Sequence, residues 1–297
     1  MRYRRESLIA SGVLAVASLV WLIYRGLNLG FDFTGGVLVD VAFTHAVEID
    51  ELRSDLATAG FESAQLQTFG SPSEVLIRLP PAEGEDVATV GDRVLGVLRR
   101  RDSGVVVRDL AVVGPQVGED LVDRGGVAML LAFIMIFIYI MVRFEWKCGV
   151  GAVLSTAFDV VATAAFVALL GLPFDLTTLG AMLAVMGYSL NDKIVVYDRI
   201  RDNFRAVRRG TPESIVDLSI NQTLARTLVT GVSSLLVLLA LLFVGGATLR
   251  SFSITMIAGI LIGTVVTIFV ACPVILALNI TPSDLAPAKR QKIDDLP

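Results

Sequence analysis

The chain has 297 residues, 54% of them hydrophobic and only 18% charged, with a formal net charge of −4. A mean hydropathy of +0.72 and an apolar share above the roughly 45–50% of soluble domains exclude a chain that is water-soluble throughout. Basic residues are not gathered on one soluble domain, so no nucleic-acid partner is expected. Cys148 and Cys272 have no metal-ligand spacing and no disulfide framework, and they read as buried, inert thiols. No P-loop, dinucleotide fingerprint or zinc signature occurs, and no cofactor is expected.

The chain opens on Met1-Arg2-Tyr3-Arg4-Arg5 and an apolar run from Leu8 to Tyr24, the outline of a signal peptide. The run is long, and Trp21-Leu22-Ile23-Tyr24-Arg25 offers no small-residue cleavage site. An uncleaved membrane helix with an interfacial aromatic anchor is expected. The polar stretch 25–124 alternates strand and helix signals. Val37–Phe43 is a strand, Glu48–Ala59 a helix closed by Gly60, and Ala64–Phe69 and Glu74–Leu79 are strands around the turn signal Gly70-Ser71-Pro72-Ser73. A helix near Val87–Arg100 and a strand at Val105–Val113 complete a βαββαβ order, that of a ferredoxin-like α+β domain. His45, at a strand end, reads as a surface residue.

Five further apolar segments follow, at 125–142, 149–170, 176–198, 223–244 and 252–278; with 7–24 they make six of a length that spans hydrocarbon. The expected fold is a polytopic α-helical membrane protein with six transmembrane helices and one small α+β domain. Its parts are a first helix at 1–24, the domain at 25–124, a five-helix block at 125–280 and a tail at 281–297. Lysine and arginine crowd the N-terminus, 143–147, 199–209 and the tail, whereas the loops Gly171–Asp175 and Gly245–Arg250 hold only Arg250. That bias puts both termini and the tail in the cytoplasm and the domain at 25–124 in the periplasm or at the cell exterior. The Arg-rich link Arg199–Gly210 reads as an anchor on anionic headgroups, or as a docking surface.

Charges inside apolar segments carry the chemistry. Asp192, in Gly187-Tyr188-Ser189-Leu190-Asn191-Asp192, and Arg226, in Thr223-Leu224-Ala225-Arg226-Thr227, each cost at least about 2.5–3.5 kcal/mol in hydrocarbon unless they are partnered or handle ions. On neighbouring helices they would lie at one depth. A changing Asp–Arg distance would bind and release a proton, making a relay, whereas a fixed pair would only lock two helices together. Asp159 belongs to the relay or to a polar network with Ser155, Thr156 or Thr163; Tyr188 and Asn191 flank Asp192. Lys193 is expected to snorkel to the interface without chemistry. Gly180, Ala184 and Gly187 form a small-residue stripe suited to close packing, and Gly259 and Gly263 have GxxxG spacing.

Taken in order, several motifs resemble the SecF branch of the SecD/SecF protein-export family, relatives of the resistance-nodulation-division transporters. They are Gly30-Phe31-Asp32-Phe33-Thr34-Gly35-Gly36, Val113-Gly114-Pro115-Gln116-Val117-Gly118, Arg143-Phe144-Glu145-Trp146, Gly187–Asp192 running into Asp198-Arg199-Ile200-Arg201, and Arg208-Arg209-Gly210-Thr211-Pro212. The resemblance implies a SecD-like partner, a SecY-type channel, an unfolded preprotein as cargo, and the proton motive force as energy source. It puts the family's membrane carboxylate on Asp192 and its membrane arginine on Arg226. The family often has His before the third-helix aspartate; here it is Phe158. Gly35-Gly36 is expected to make the turn from the first membrane helix into the first strand. Other readings are a proton-coupled exporter half, a passive translocon-stabilising scaffold, or an intramembrane aspartyl protease built on Asp159 and Tyr197-Asp198. The protease lacks its Gly-x-Gly-Asp, so no enzyme activity is expected.

Overall fold

Backbone N–H and C=O groups have no water to bond in hydrocarbon, so long apolar runs there close their hydrogen bonds within helices. The computed structural model describes residues 1–280 except 2–3, 63, 70, 80–86, 103, 114, 145 and 208–209. Gly70, Gly114, Glu145, Arg208, Arg209 and the tail at 281–297 therefore lie outside the described residues. The elements in order are α1 (Arg4–Arg25), α2 (Phe31–Thr34), β1 (Gly36–Ala42), α3 (Ile49–Thr58), β2 (Gln65–Phe69), β3 (Ser71–Leu79), α4 (Val87–Arg101) and β4 (Val106–Val113). Then come α5 (Pro115–Arg143), α6 (Trp146–Leu169), α7 (Leu176–Ala206), α8 (Pro212–Val244), α9 (Gly246–Val266), a π-helical turn (Thr267–Ala271) and α10 (Cys272–Ala277). Among the described residues, 6 helical spans are long and apolar enough to cross a membrane. α5 starts at Pro115, well before the apolar segment expected at 125, and α8 at Pro212, well before 223.

The region before α5 forms one antiparallel sheet, ordered β2-β3-β1-β4. That order, with two helices on one face, is the arrangement of a split βαβ unit. Alternation decides the faces: Val37, Val39 and Val41 of β1 and Val75, Ile77 and Leu79 of β3 pack against Leu52 and Leu56 of α3 and Val90, Val94 and Leu98 of α4. Each such buried aliphatic side chain contributes about 1.5–3 kcal/mol. Across the other face Arg108 pairs with Glu74 at 2.7 Å, beside Asp40. Burial holds the Asp40 carboxyl above its ordinary value of 3.8; Arg108 opposes this, and Glu74 and Asp109 add to it. A raised folded value means that stability is present at low pH and lost as pH rises through the folded value. Asp40→Asn is therefore expected to stabilise this domain at neutral pH, with the gain closing as pH falls below 3.8; proteolysis of the full chain across pH measures it. Asp102 shows the opposite case, its carboxylate held low by the Thr44 hydroxyl, the Thr44 N–H and the Gly104 N–H. It ties the end of α4 to the loop after β1.

In the helical block α6, α7 and α9 form the buried centre, with α1, α5 and α8 around them. The GxxxG pair on α9 packs on α7, as its spacing predicts: a Cβ at Gly259 would lie 2.2 Å from Val185 and one at Gly263 2.9 Å from Ser189. The stripe on α7 is not packed by another helix among the described residues. Gly180, Ala184 and Gly187 are exposed, and a Cβ on either glycine meets nothing. α7 instead buries Ala181, Val185 and Ser189 on the face turned to α9.

Pro273 has no N–H for the carbonyl of Phe269 four residues earlier. The chain answers with the π-helical turn before α10, in which Cys272 N–H bonds Thr267 O, and the Ser7 hydroxyl of α1 donates to Phe269 O at 2.5 Å. This bond fastens α1 to the last span. Ser7→Ala is expected to lower stability by about 1 kcal/mol, read as a small drop in thermal midpoint in detergent.

Candidate functional site

The site grows from the length of α7. Asp175 caps its N-terminus, accepting from Thr178 N–H at 2.7 Å and from the Thr177 hydroxyl at 2.6 Å. The helix then runs 31 residues without a break. At about 1.5 Å per residue, Asp192 lies roughly 25 Å from that cap.

The capped end is clipped to the sheet domain by the glycine motif. Gly30 N–H donates to Phe174 O at 2.7 Å, Phe174 N–H to Asn28 O at 2.7 Å, and Leu176 N–H to the Asp32 carboxylate at 2.9 Å. A side chain at Gly30 would strike Asp175 Cβ at 2.7 Å. Phe33 stacks on Phe174 with centroids 6.0 Å apart, and Gly118 lets α5 lie against the Phe33 carbonyl. Gly35 and Gly36 have φ of 71° and 120°, which turns the chain into β1 as expected. The motif is thus a junction between the sheet domain and the helix that carries Asp192.

α7 and α8 are neighbours. Thr223, Thr227 and Gly231, four apart, form the buried face of α8 in this region. Asp192 is 4% exposed, faces the Thr227 side chain, and has an Oδ2 without a hydrogen-bond partner. One turn away the Tyr188 hydroxyl, also buried and unpartnered, lies over Gly231. Arg226, one position from Thr227, is on the exposed side of α8 and makes no ion pair with Asp192. Asn191 is exposed as well. The two charges thus sit on adjacent helices at similar depth and are apart in this conformation.

Asp159 joins a tighter cluster. It is fully buried on α6 and accepts from Lys193 Nζ at 2.5 Å and Ser189 Oγ at 2.5 Å, both on α7. The expected partners do not take part: Ser155 bonds carbonyls of its own helix, and the Thr156 and Thr163 hydroxyls have no partner. Lys193 does not snorkel. It is 0% exposed and ion-paired to Asp159.

The protease reading loses its acid pair. Asp198 pairs with Arg143 at 3.0 Å, Asp159 with Lys193, and the Tyr197 hydroxyl is buried without a partner. In the Arg-rich link α7 runs on to Ala206, and Arg199 Nε donates to Gln222 at 2.6 Å. That arginine thus ties the end of α7 to α8 through one of its N–H groups. Among the described residues no cluster of His, Cys, Asp and Glu could hold a metal.

Two family descriptions match the chain. Protein export membrane protein SecD/SecF, C-terminal, covers residues 94–281, and the SecD/SecF GG motif covers residues 20–47. The chain belongs to the SecD/SecF family. The protein translocase subunit SecF of Escherichia coli O157:H7 is 42% identical over 95% of this chain and 88% of its own length. That of Haemophilus influenzae is 41% identical over 100% of this chain and 91% of its own length. The crystal structure of SecDF from Thermus thermophilus, described as a translocon-associated membrane protein, superposes with a TM-score of 0.81 at 35% identity. The match covers 94% of this chain but only 38% of the SecDF chain. The SecD/SecF GG motif thus includes the Asn28–Gly36 side of the junction described above, and the C-terminal family region includes its Gly118 and Phe174–Leu176 side together with Asp159, Asp192, Lys193 and Arg226.

Proposed function

We propose that this chain is a SecF-like subunit of the Sec protein-export machinery, which uses the proton motive force, together with a SecD-like partner, to promote preprotein translocation across the inner membrane through a SecY-type channel. The observation that carries this reading is the single unbroken helix, α7, which bears Asp192 deep in the helical block and is bonded at its capped end to the sheet domain. In this reading Asp192 takes up and releases the proton, and Arg226 approaches the carboxylate when it is ionised. Tyr188 and Thr227 line the contact between α7 and α8. Asn191 faces outward and meets the partner.

The open surfaces support a companion of the SecD kind. Gly180, Ala184, Gly187 and Asn191 form an exposed, small-residue face on α7, and Arg226 is exposed on α8. In hydrocarbon such a face is suited to close helix packing, and an exposed guanidinium there needs a partner. In the expected orientation, with both termini cytoplasmic, the sheet domain is periplasmic and meets the emerging unfolded chain. The lipid bilayer covers the remaining apolar surface.

The energy scale fits. A proton crossing about 100 mV releases roughly 2.3 kcal/mol, and each pH unit adds about 1.4 kcal/mol, enough to shift a two-state element several-fold or more. The test is preprotein export in vesicles that contain this chain and its SecD-like partner. Acceleration that disappears with an ionophore supports the reading. Acceleration that an ionophore leaves untouched points to the passive scaffold instead.

A further inference from the structure

We infer that Asp159 is a positioning residue for the Asp192 site: together with Ser189 it holds the Lys193 ammonium and offsets its charge, leaving Asp192 able to take up and release a proton. The inference rests on the proton role proposed above and adds a second charge pair to it.

The geometry is specific. Lys193 follows Asp192 directly on α7, so its positive charge acts on that carboxylate wherever the ammonium goes. A buried lysine next to a proton-binding carboxylate would favour the ionised form and drive the proton off. In this structure the ammonium makes its hydrogen bonds within the Asp159–Ser189 cluster. It is bonded to Asp159 on α6 at 2.5 Å and to Ser189, one turn back on its own helix, at 2.5 Å, and Ser189 also bonds Asp159. α9 closes the cluster with Gly263, whose missing side chain leaves room for Ser189, since a Cβ there would lie 2.9 Å from its Oγ. The groups around Lys193 are few. Asp159 comes from α6, Asp192 from α7 itself and the Cys272 thiol from α10, with the Tyr197 hydroxyl one turn further along α7. α8 presents uncharged Thr227 to Asp192, and α9 presents Gly263 to the cluster. Asp159 is therefore the charge on a neighbouring helix that can neutralise Lys193 and leave Asp192 free to titrate against a mobile arginine.

Opposite shifts test the inference. Export acceleration by a proton gradient is measured against pH in vesicles carrying the full chain and its partner, at equal protein levels. Asp159→Asn releases an uncompensated ammonium beside Asp192 and is expected to move the midpoint down by about one pH unit, a tenfold fall in proton affinity. Lys193→Met leaves an uncompensated carboxylate and is expected to move it up. The Asp159→Asn/Lys193→Met pair removes both charges and is expected to return the midpoint near that of the unmodified chain. A pair that only holds α6 and α7 together would lower protein level or activity without opposite pH shifts, and unshifted midpoints overturn the inference. Where a single charge variant does not accumulate, Ser189→Ala decides. It keeps both charges but loosens the ammonium, so a smaller downward shift supports the inference and none overturns it. Asp192→Asn separates the two levels. If it leaves acceleration intact, the proton role of Asp192 fails. If it abolishes acceleration while the Asp159 and Lys193 variants are unshifted, only the positioning role of Asp159 fails.

Discussion

Vesicles carrying Asp192→Asn are expected to lose at least tenfold of the export acceleration produced by a proton gradient, with normal levels of the chain and normal association with its SecD-like partner. The substitution is nearly isosteric, and Thr227, the facing side chain on α8, remains. What disappears is the ability to ionise. Oδ2 of Asp192 has no hydrogen-bond partner, so replacing it breaks no bond that holds the helices. A buried carboxylate without an ion pair adds no stability, and one with a missing partner lowers it by about 1–3 kcal/mol or more. The Asn variant is thus expected to melt at or slightly above the temperature of the unmodified chain. Intact stability with lost acceleration separates an energy-coupling residue from a structural one; parallel loss of both would make Asp192 a packing element.

The largest effect on stability is expected at Gly259. A Cβ there would lie 2.2 Å and 2.6 Å from the two methyl carbons of Val185 and 3.0 Å from its Cβ. Both residues sit on the central helices of the block, so neither backbone yields cheaply. Overpacking of a tight core typically lowers stability by about 1–3 kcal/mol. Gly259→Leu is expected at or beyond the upper end of that range, with loss of protein from the membrane, and Gly259→Ala nearer the middle. Val185→Ala in the same chain removes both methyl carbons and is expected to rescue most of the Gly259→Ala defect, though not all of it, because the Val185 Cβ contact persists. Thermal midpoints in detergent for the two singles and the double close this cycle; strictly additive losses would mean that the two residues do not meet. Gly263→Ala is expected to be milder, because the nearest atom is the Ser189 hydroxyl, yet to disturb the hydrogen bonds that Ser189 makes to Asp159 and Lys193.

The architecture was written in hydropathy. Runs of apolar residues long enough to span hydrocarbon favour helix, and β-branched enrichment in Val37–Phe43, with the turn signal before Glu74–Leu79, marked the two inner strands of the sheet. Glycine was legible where it makes a turn or sits in a GxxxG spacing, at Gly35-Gly36 and at Gly259 and Gly263. At Gly180 and Gly187 it left the partner open, because a small-residue stripe says that something packs closely without saying whether that helix is in the same chain. The ends of α5 and α8 were missed because polar residues at 115–124 and 212–222 extend the helices beyond the apolar parts that periodicity detects. In the site, Asp192 stood out as a charge in an apolar run. The Asp159–Lys193 pair did not, since Asp159 and Lys193 are 34 positions apart and nothing local couples them. Only the packing of α6 on α7 brings them together, and a lysine beside an acidic residue reads more simply as an interfacial one. The separation of Arg226 from Asp192 was equally invisible, because rotating α8 by one residue exchanges Arg226 for Thr227.

The proton role of Asp192 is most directly tested by proton entry itself. A pH-sensitive dye trapped in proteoliposomes holding this chain and its SecD-like partner records how fast an imposed gradient decays. Faster decay with the unmodified chain than with Asp192→Asn, at equal amounts of assembled protein, is the expected result. Equal decay in the two preparations would contradict it and leave Asp192 with no part in moving protons.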